Sequence, residues 1–491
     1  MRSPPLLAAA LALTASGCLR PTPRSDALEV VVATPPATLD PRLSTDPVAM
    51  RVTRLLHAGL VRLDERTLEP VPYAAARWGW VDDRTLDLEL RPGLRFASGA
   101  PLEPEDVCAT IEALGSPALG SPHRTLVASI ARCERRGTLG LRLVLGEARA
   151  TLLTDMELPI LRRDQAGSPP GTALDGLGPF VLGAVSESAV ELRARDGGAL
   201  PRPARDVVVR VVRDETARAT RLLAGQADVV PNAVSPPMLA ALAAQGARVD
   251  SQPGANLTYL LVHNERPGLD TPAARWALGQ AIDRDLLAAT LLGGHARVAR
   301  SFLPPESWAA PDAVPPLPTF APAAARAALG SLGPVQLLCS TDRQRVTMAR
   351  AVAQMLGDVG VPVELMPLDL GVLLHRLSSG DYELAILQIP EFTEPNLLRW
   401  FFHSASIPAP GRGGANRARH ASPALDAVLD EASRNPDREA RRALYARALG
   451  LLAADLPVVP LFHENQVAVL SPRAAGFHLS AEGRWLSLAS P

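Results

Sequence analysis

Two carboxylates, Glu391 and Glu394, follow an apolar run from Leu384 to Ile389 that has the length and composition of a buried strand. In α/β folds, ligands bind outside the carboxyl ends of strands, so this segment is a natural position for a binding site. A carboxylate there would pair with a cationic group, because an ammonium ion buried without a partner in a closed cleft is unfavourable. The segment is therefore our first candidate for chemistry.

Other residues that could carry out catalysis are absent or lack a partner at the required spacing. All 50 basic residues are arginine, which excludes a Walker-type phosphate loop and a Schiff-base lysine. Neither Gly-x-Ser-x-Gly nor His-Glu-x-x-His occurs, and His403, His420 and His463 form no His-x-x-x-His pair. We expect no catalytic residue, metal site or cofactor. A Ser/His/Asp set assembled from distant positions stays open, and with it a secreted hydrolase as a distant alternative.

The first residues have the composition of an export signal. Arg2 precedes a short apolar run from Leu6 to Leu13, which is far shorter than a membrane-spanning helix requires. The stretch from Leu13 to Cys18 resembles a bacterial lipobox. That resemblance implies cleavage of a signal peptide at residues 1–17, lipidation of Cys18, and a tether at residues 18–27. The alternative is an ordinary cleaved signal with an incidental cysteine.

Three further cysteines, Cys108, Cys133 and Cys339, would lie in a compartment that permits disulfides if the protein is exported. Cys108 and Cys133 are close enough along the chain to pair, although two buried thiols are an equal alternative. Cys339 lies in an apolar strand-like run and is expected to be an inert core thiol. The absence of Cys-x-x-Cys disfavours structural zinc.

Length and charge restrict the class of protein. A chain of 491 residues is long enough for about three lobes at roughly 150 residues each. The net charge of −1 provides no basic excess for binding nucleic acid. Strand-like and helical patterns alternate along the chain, which predicts an α/β architecture with mostly parallel strand pairing. After the leader, the sequence contains no apolar stretch long enough to span a membrane.

Short motifs then occur in a recognisable order. They are Thr38-Leu39-Asp40-Pro41, Leu90 to Gly99 with Glu105-Asp106-Val107, Gly178-Pro179-Phe180, Leu222 to Asp228, Ala281-Ile282-Asp283-Arg284, and Pro457-Val458-Val459-Pro460. In this order they resemble the extracytoplasmic solute-binding proteins of family 5, the dipeptide- and oligopeptide-binding lipoproteins of ABC importers. The resemblance extends from Leu28 to about Phe477.

The resemblance implies a type II periplasmic-binding-protein-like α/β fold, with two lobes around a ligand cleft and an extra subdomain. The first lobe is expected to combine residues 28–52, 175–262 and 463–491. The extra subdomain would be residues 53–174, and the third lobe residues 263–462. The chain would cross between the two main lobes near Val262 and Phe462, which would form the hinge.

The resemblance also assigns roles. Glu391 lies where relatives place the acidic residue that pairs with the α-ammonium group of a peptide. Phe392 and Tyr259 are predicted to line the ligand site, and Arg399 or Arg376 to meet the ligand carboxylate. The implied partners are a peptide and the membrane permease of an ABC importer with separate ATPase subunits. We expect a monomer, exported and membrane-anchored. A nickel or other metal chelate, or an oligosaccharide, stays open as the ligand.

Overall fold

The computed structural model describes residues 26–195, 200–313 and 315–489. The predicted signal peptide and Cys18 lie outside these residues. The strands are β1 (Leu28–Val32), β2 (Val61–Leu63), β3 (Pro70–Pro72), β4 (Ala75–Asp82), β5 (Thr85–Leu90), β6 (Ile130–Arg136), β7 (Gly140–Leu145), β8 (Phe180–Val185), β9 (Ala189–Ala194), β10 (Val207–Val211), β11 (Val229–Pro231), β12 (Arg248–Gln252), β13 (Leu257–Val262), β14 (Ala296–Val298), β15 (Val335–Ser340), β16 (Val363–Leu368), β17 (Leu384–Ile389), β18 (Val458–Glu464) and β19 (Gln466–Leu470).

Helices connect many of these strands. They are α1 (Pro47–Leu56), α2 (Pro104–Gly115), α3 (Arg124–Val127), α4 (Leu152–Asp155), α5 (Glu215–Leu223), α6 (Pro236–Ala244), α7 (Pro272–Ala281), α8 (Arg284–Thr290), α9 (Pro322–Leu329), α10 (Arg343–Asp358), α11 (Leu370–Ser379), α12 (Leu397–Phe402), α13 (Pro423–Arg434) and α14 (Arg438–Asp455). Within the described residues, no helix combines the length and apolar character needed to cross a bilayer.

A seven-stranded sheet has the order β12-β19-β11-β1-β10-β9-β8. At its centre, β1 runs parallel to β10 and β11, and the outer pairs are antiparallel. Val30, Val209 and Val229 are fully buried in its core. This sheet forms the body of one lobe.

A six-stranded sheet, with the order β14-β18-β13-β17-β15-β16, forms the body of a second lobe. All six residues of β13 are buried, in keeping with its position inside the sheet. Strand β15 is parallel to β16 and β17, while β13, β14, β17 and β18 pair antiparallel.

The expectation of mostly parallel pairing is wrong. A parallel pair needs a crossover, usually through a helix, and β15-α10-β16-α11-β17 supplies such crossovers. Elsewhere, β4 and β5, β6 and β7, and β8 and β9 are hairpins, and β13 and β18 meet from distant parts of the chain. The fold is therefore a mixed α/β architecture.

An antiparallel sheet with the order β4-β5-β7-β6 belongs to the extra subdomain and has its own core. Alternating leucines of β5 and β7 point into this core and are buried. Helix α2 packs beside β6, where a disulfide joins Cys108 to Cys133 with their Cα atoms 5.4 Å apart. That separation is normal for a disulfide. Cys339 is a buried free thiol.

The chain crosses between the two large sheets at residues 253–256 and at Asn465. These crossings differ from the predicted Val262 and Phe462, because β13 and β18 lie entirely in the six-stranded sheet. The two crossings touch: a Cβ at Gly254 would lie 2.0 Å from the carbonyl oxygen of Glu464. Only glycine permits this approach of the two backbones.

Candidate ligand cleft

Two adjoining cavities separate the lobes. The first, of about 740 Å³, is bounded by α1, by the extra subdomain around α3 and α4, and by residues 391–400 of the second large lobe. The second, of about 840 Å³, lies between the two large sheets. Met50, Glu391, Leu397 and Trp400 line both cavities, so the two cavities meet at these side chains.

Glu391 stands where the cavities meet. Strand β17 ends at Ile389. Pro390 and then Glu391 follow beyond its carboxyl end, where α/β folds place ligands. Its side chain is 21% exposed, and Oε2 lies 3.9 Å from Nη1 of Arg54. Glu391 thus presents a carboxylate to the cleft and, across it, to the first lobe.

Helix α1 supplies the facing surface. It begins at Asp46, whose Oδ1 accepts the N–H of Ala49 at 2.9 Å, and Pro47 occupies the first turn. Its apolar face is buried against the lobe, which turns Met50, Arg51 and Arg54 towards the cleft. Burial lowers the pKa of Arg51, and the neighbouring Glu391 opposes that change.

A buried ion-pair group forms part of the cleft floor. Arg484 pairs with Glu157 and lies 3.2 Å from Glu482. Burial alone would lower the pKa of Arg484, but the carboxylates of Glu157, Glu482 and Glu391 outweigh it and raise that pKa. Burial raises the pKa of Glu482. The cleft floor is therefore rich in charges of both signs.

Glu394, three residues after Glu391, has a different place. Glu394 is buried and pairs with Arg441, whose guanidinium carbon lies 4.9 Å from the ring centre of Trp308. Thr154 of the extra subdomain donates a hydrogen bond from Oγ1 to Glu394 Oε2 at 3.4 Å. Glu394 therefore ties the second large lobe to the extra subdomain.

Two more contacts join the same two parts of the chain. The N–H of Ala150 donates to the carbonyl oxygen of Ser433 at 3.0 Å, and Arg438 pairs with Glu69. These contacts involve no residue that the sequence predicts to bind ligand.

Residues 69–408 match the family described as "Bacterial extracellular solute-binding proteins, family 5 Middle". The chain belongs to this family. It is 26% identical over 468 residues to the probable di/tripeptide-binding protein 5 of Pseudomonas aeruginosa (strain UCBPP-PA14), covering 87% of this chain and 88% of that protein.

Solved structures share the fold of this family 5 protein. NikA from Brucella suis in complex with Fe(III)-EDTA superposes with a TM-score of 0.84 at 20% identity, covering 94% of this chain and 98% of that one. DppA from Helicobacter pylori in complex with the peptide STSA gives 0.78 at 21% identity, covering 94% and 97%. The predicted type II periplasmic-binding-protein-like fold is confirmed.

Three predicted site residues do not line the cleft of the family 5 protein. Phe392 is 1% exposed, and its N–H donates to the carbonyl oxygen of Ala255 at 2.7 Å. Tyr259 is buried within β13, where burial raises the pKa of its hydroxyl. Arg376 lies away from both cavities and pairs with Asp381 at 2.8 Å. The side chains of Phe392 and Tyr259 are buried in the core, and the ion pair with Asp381 engages Arg376.

Glu391 and Arg399 do lie at the cleft, with Arg399 held by Asp430 at 2.8 Å. The histidines singled out by the sequence are tied elsewhere: His403 to Asp426 and Asp430, and His420 to Asp455. Burial lowers the pKa of His463 to about 4. Among the described residues, no cluster of three or more His, Cys, Asp or Glu side chains is arranged for a metal ion.

Sequence reasoning missed Arg51, Arg54 and Trp400. Trp400 is 50% exposed and lines both cavities. A signal for the arginines was present: they lie three residues apart on α1, whose other residues from Pro47 to Leu56 are almost all apolar. Two charges on one face of such a helix indicate a surface with a polar partner.

Proposed function

We propose that this family 5 protein is the receptor of an ABC importer, which captures a peptide outside the cytoplasm and delivers it to the membrane permease. Separate subunits would hydrolyse ATP. Relatives named for the binding of dipeptides and tripeptides support this proposal. The observation that carries it is the carboxylate of Glu391, partly exposed beyond β17 at the junction of both cavities.

Binding alone accounts for the proposed task. A peptide offers an ammonium group, a row of backbone amides and a carboxylate, whatever its sequence. Glu391 pairs with the ammonium group, and strand-like hydrogen bonds satisfy the backbone. Contact with both lobes favours the closed arrangement, with residues 253–256 and Asn465 acting as the hinge. The receptor performs no bond-breaking step.

Calorimetric titration tests the role of Glu391. Glu391→Gln should weaken the binding of a free tripeptide by roughly 2–5 kcal/mol, the range for truncating one partner of a buried charge pair. N-acetylation should weaken binding to the unsubstituted protein and have little further effect in the variant. Glu364→Gln, at an exposed carboxylate on β16 of the same sheet, is the matched control and should bind as the unsubstituted protein does.

Equal affinity for acetylated and free peptides would remove Glu391 from this role. Heat release with Fe(III)-EDTA, a nickel–histidine complex or an oligosaccharide, and none with peptides, would identify the alternative ligand classes. Turnover of a peptide by the purified protein would instead establish a hydrolase.

We also propose that Cys18 is the lipidated N-terminus of the mature, monomeric protein. The lipobox resemblance supports this anchor. Cys18→Ser should move the protein from the membrane pellet to the soluble exported fraction. Persistence of the variant in the pellet would exclude the assignment, and light scattering of the released protein would give its oligomeric state.

A further inference from the structure

The two cleft-facing arginines of α1 have polar atoms without hydrogen-bond partners. Nε of Arg51 and Nη1 of Arg54 are buried and donate no hydrogen bond to any part of the chain that the structure describes. Buried donors are normally satisfied by hydrogen bonds. Nη1 of Arg54 lies 3.9 Å from Oε2 of Glu391, an ion-pair contact beyond hydrogen-bonding distance, so both guanidinium groups keep a donor at the cavity for an acceptor from outside. Both arginines line the cleft, Arg54 the first cavity and Arg51 the second.

Charge balance leads to the same expectation. The cations near Glu391 are Arg51, Arg54 and Arg484, and the carboxylates are Glu391, Glu157 and Glu482. Adding a ligand ammonium group alone would place a fourth cation among three arginines, where weak solvent screening makes like-charge repulsion strong. A ligand that brings a carboxylate together with its ammonium group adds no net charge.

The guanidinium group of Arg51 packs over an aromatic ring. Its guanidinium carbon lies 5.8 Å from the ring centre of the buried Trp485. Gly483 has a φ of 77°, and a Cβ there would lie 2.8 Å from Nη2 of Arg51. Its backbone conformation favours glycine at position 483, which leaves the space beside the guanidinium group open.

We propose that Arg51 and Arg54 select peptides that carry a carboxylate close to the amino terminus. This inference rests on the proposed binding of the ammonium group by Glu391. The carboxylate has two possible sources with the same chemistry: the C-terminus of a dipeptide, or the side chain of an acidic first residue in a longer peptide. Arg51 and Arg54 bind it beside the ammonium group, which makes them specificity-determining residues of the cleft.

Calorimetry with four probes separates the sources. Ala-Ala is compared with its C-terminal amide, and Glu-Ala-Ala amide with Gln-Ala-Ala amide. In the unsubstituted protein, the acidic member of at least one pair should bind roughly tenfold or more tightly, since charge-assisted hydrogen bonds are involved. The responding pair identifies the source of the carboxylate. In Arg51→Gln/Arg54→Gln this preference should fall to about threefold or less.

The ratio of the two affinities within a pair of probes is the readout, because a general disturbance of the fold would weaken the binding of both probes alike. Arg66→Gln, at an exposed arginine outside the cleft, should keep the full preference. Equal binding of both members of each pair by the unsubstituted protein would overturn the proposed selectivity and leave peptide capture standing. A preference that survives the double substitution would have the same consequence. No binding of any probe would overturn both proposals.

Discussion

The side-chain amide of Asn256 pairs twice with the backbone of Glu464: Nδ2 donates to the carbonyl oxygen at 2.6 Å, and Oδ1 accepts the N–H at 2.8 Å. Asn256 lies in one crossing between the large lobes, and Glu464 directly precedes the other. One buried side chain therefore holds together the two segments that any hinge motion must bend.

Asn256→Ala should lower the free energy of unfolding by roughly 1–3 kcal/mol, because buried backbone groups of Glu464 lose their partner. It should also weaken peptide binding, since the two crossings would no longer move together. Asn264→Ala is the control: its Nδ2 joins the other ends of the same strands, donating to Val262 and Pro457. Denaturant unfolding and calorimetry should show a stability loss in both variants and weaker binding only in Asn256→Ala.

The Cys108–Cys133 disulfide should stabilise the extra subdomain. Closing a loop across 25 residues of sequence contributes roughly 3 kcal/mol in the chain-entropy model. Cys108→Ala/Cys133→Ala should lower the stability of this subdomain by about that amount. A reductant should destabilise the unsubstituted protein in the same way and leave the double variant unchanged. Insensitivity of the unsubstituted protein to the reductant would contradict the prediction.

Asp155, which lines the first cavity, should make the stability of the protein depend on pH. Burial raises its pKa to about 6, despite the opposing effect of Arg149. A folded-state pKa above the ordinary aspartate value of 3.8 means that the folded protein binds the proton more tightly than the unfolded chain does. The resulting stability is fully present below pH 3.8 and is lost as pH rises through about 6. The free energy of unfolding is measured for the protein and for Asp155→Asn from pH 3.5 to 7.5 (roughly, the window that spans both pKa values). The difference between the two free energies should follow this course. A flat difference would contradict it.

Trp400 should report ligand binding directly. Half of its surface is exposed at the meeting point of the cavities, so a bound peptide should cover it. Trp400→Phe should abolish most of the change in tryptophan fluorescence on peptide addition, whereas Trp78→Phe in the extra subdomain should retain it. Trp400→Ala should weaken binding of a peptide with a large apolar side chain by about 1–2 kcal/mol. An undiminished fluorescence change in Trp400→Phe would exclude the contact.

The sequence predicted the features that depend on local pattern. The apolar run Leu384 to Ile389 forms β17, and Glu391 lies beyond it at the cleft. The placement of the other predicted site residues depends on contacts between distant parts of the chain. Whether Phe392 faced the core or the cleft was settled by its packing in the second large lobe. Arg376 donates from Nη2 to Oε1 of Gln336 at 3.1 Å, 40 residues away in sequence.

The same limit explains the residues that were missed. Arg51 and Arg54 acquire meaning only because α1 approaches Glu391 from another lobe, more than 300 residues away in sequence. The crossings were displaced from the predicted positions because β13 and β18, about 200 residues apart in sequence, pair with each other. An apolar strand pattern does not indicate which sheet the strand joins.

The three contacts between the extra subdomain and the second large lobe link the affinity of this protein to the spacing of its parts. Glu69–Arg438, Ala150–Ser433 and Thr154–Glu394 each join residues of the chain itself. They therefore favour a particular spacing of the two parts. Apparent affinity scales with the fraction of molecules that already have the binding-competent spacing. Substitutions at Glu69 or Arg438, neither of which lines the two cavities, could thus tune how much peptide the receptor retains.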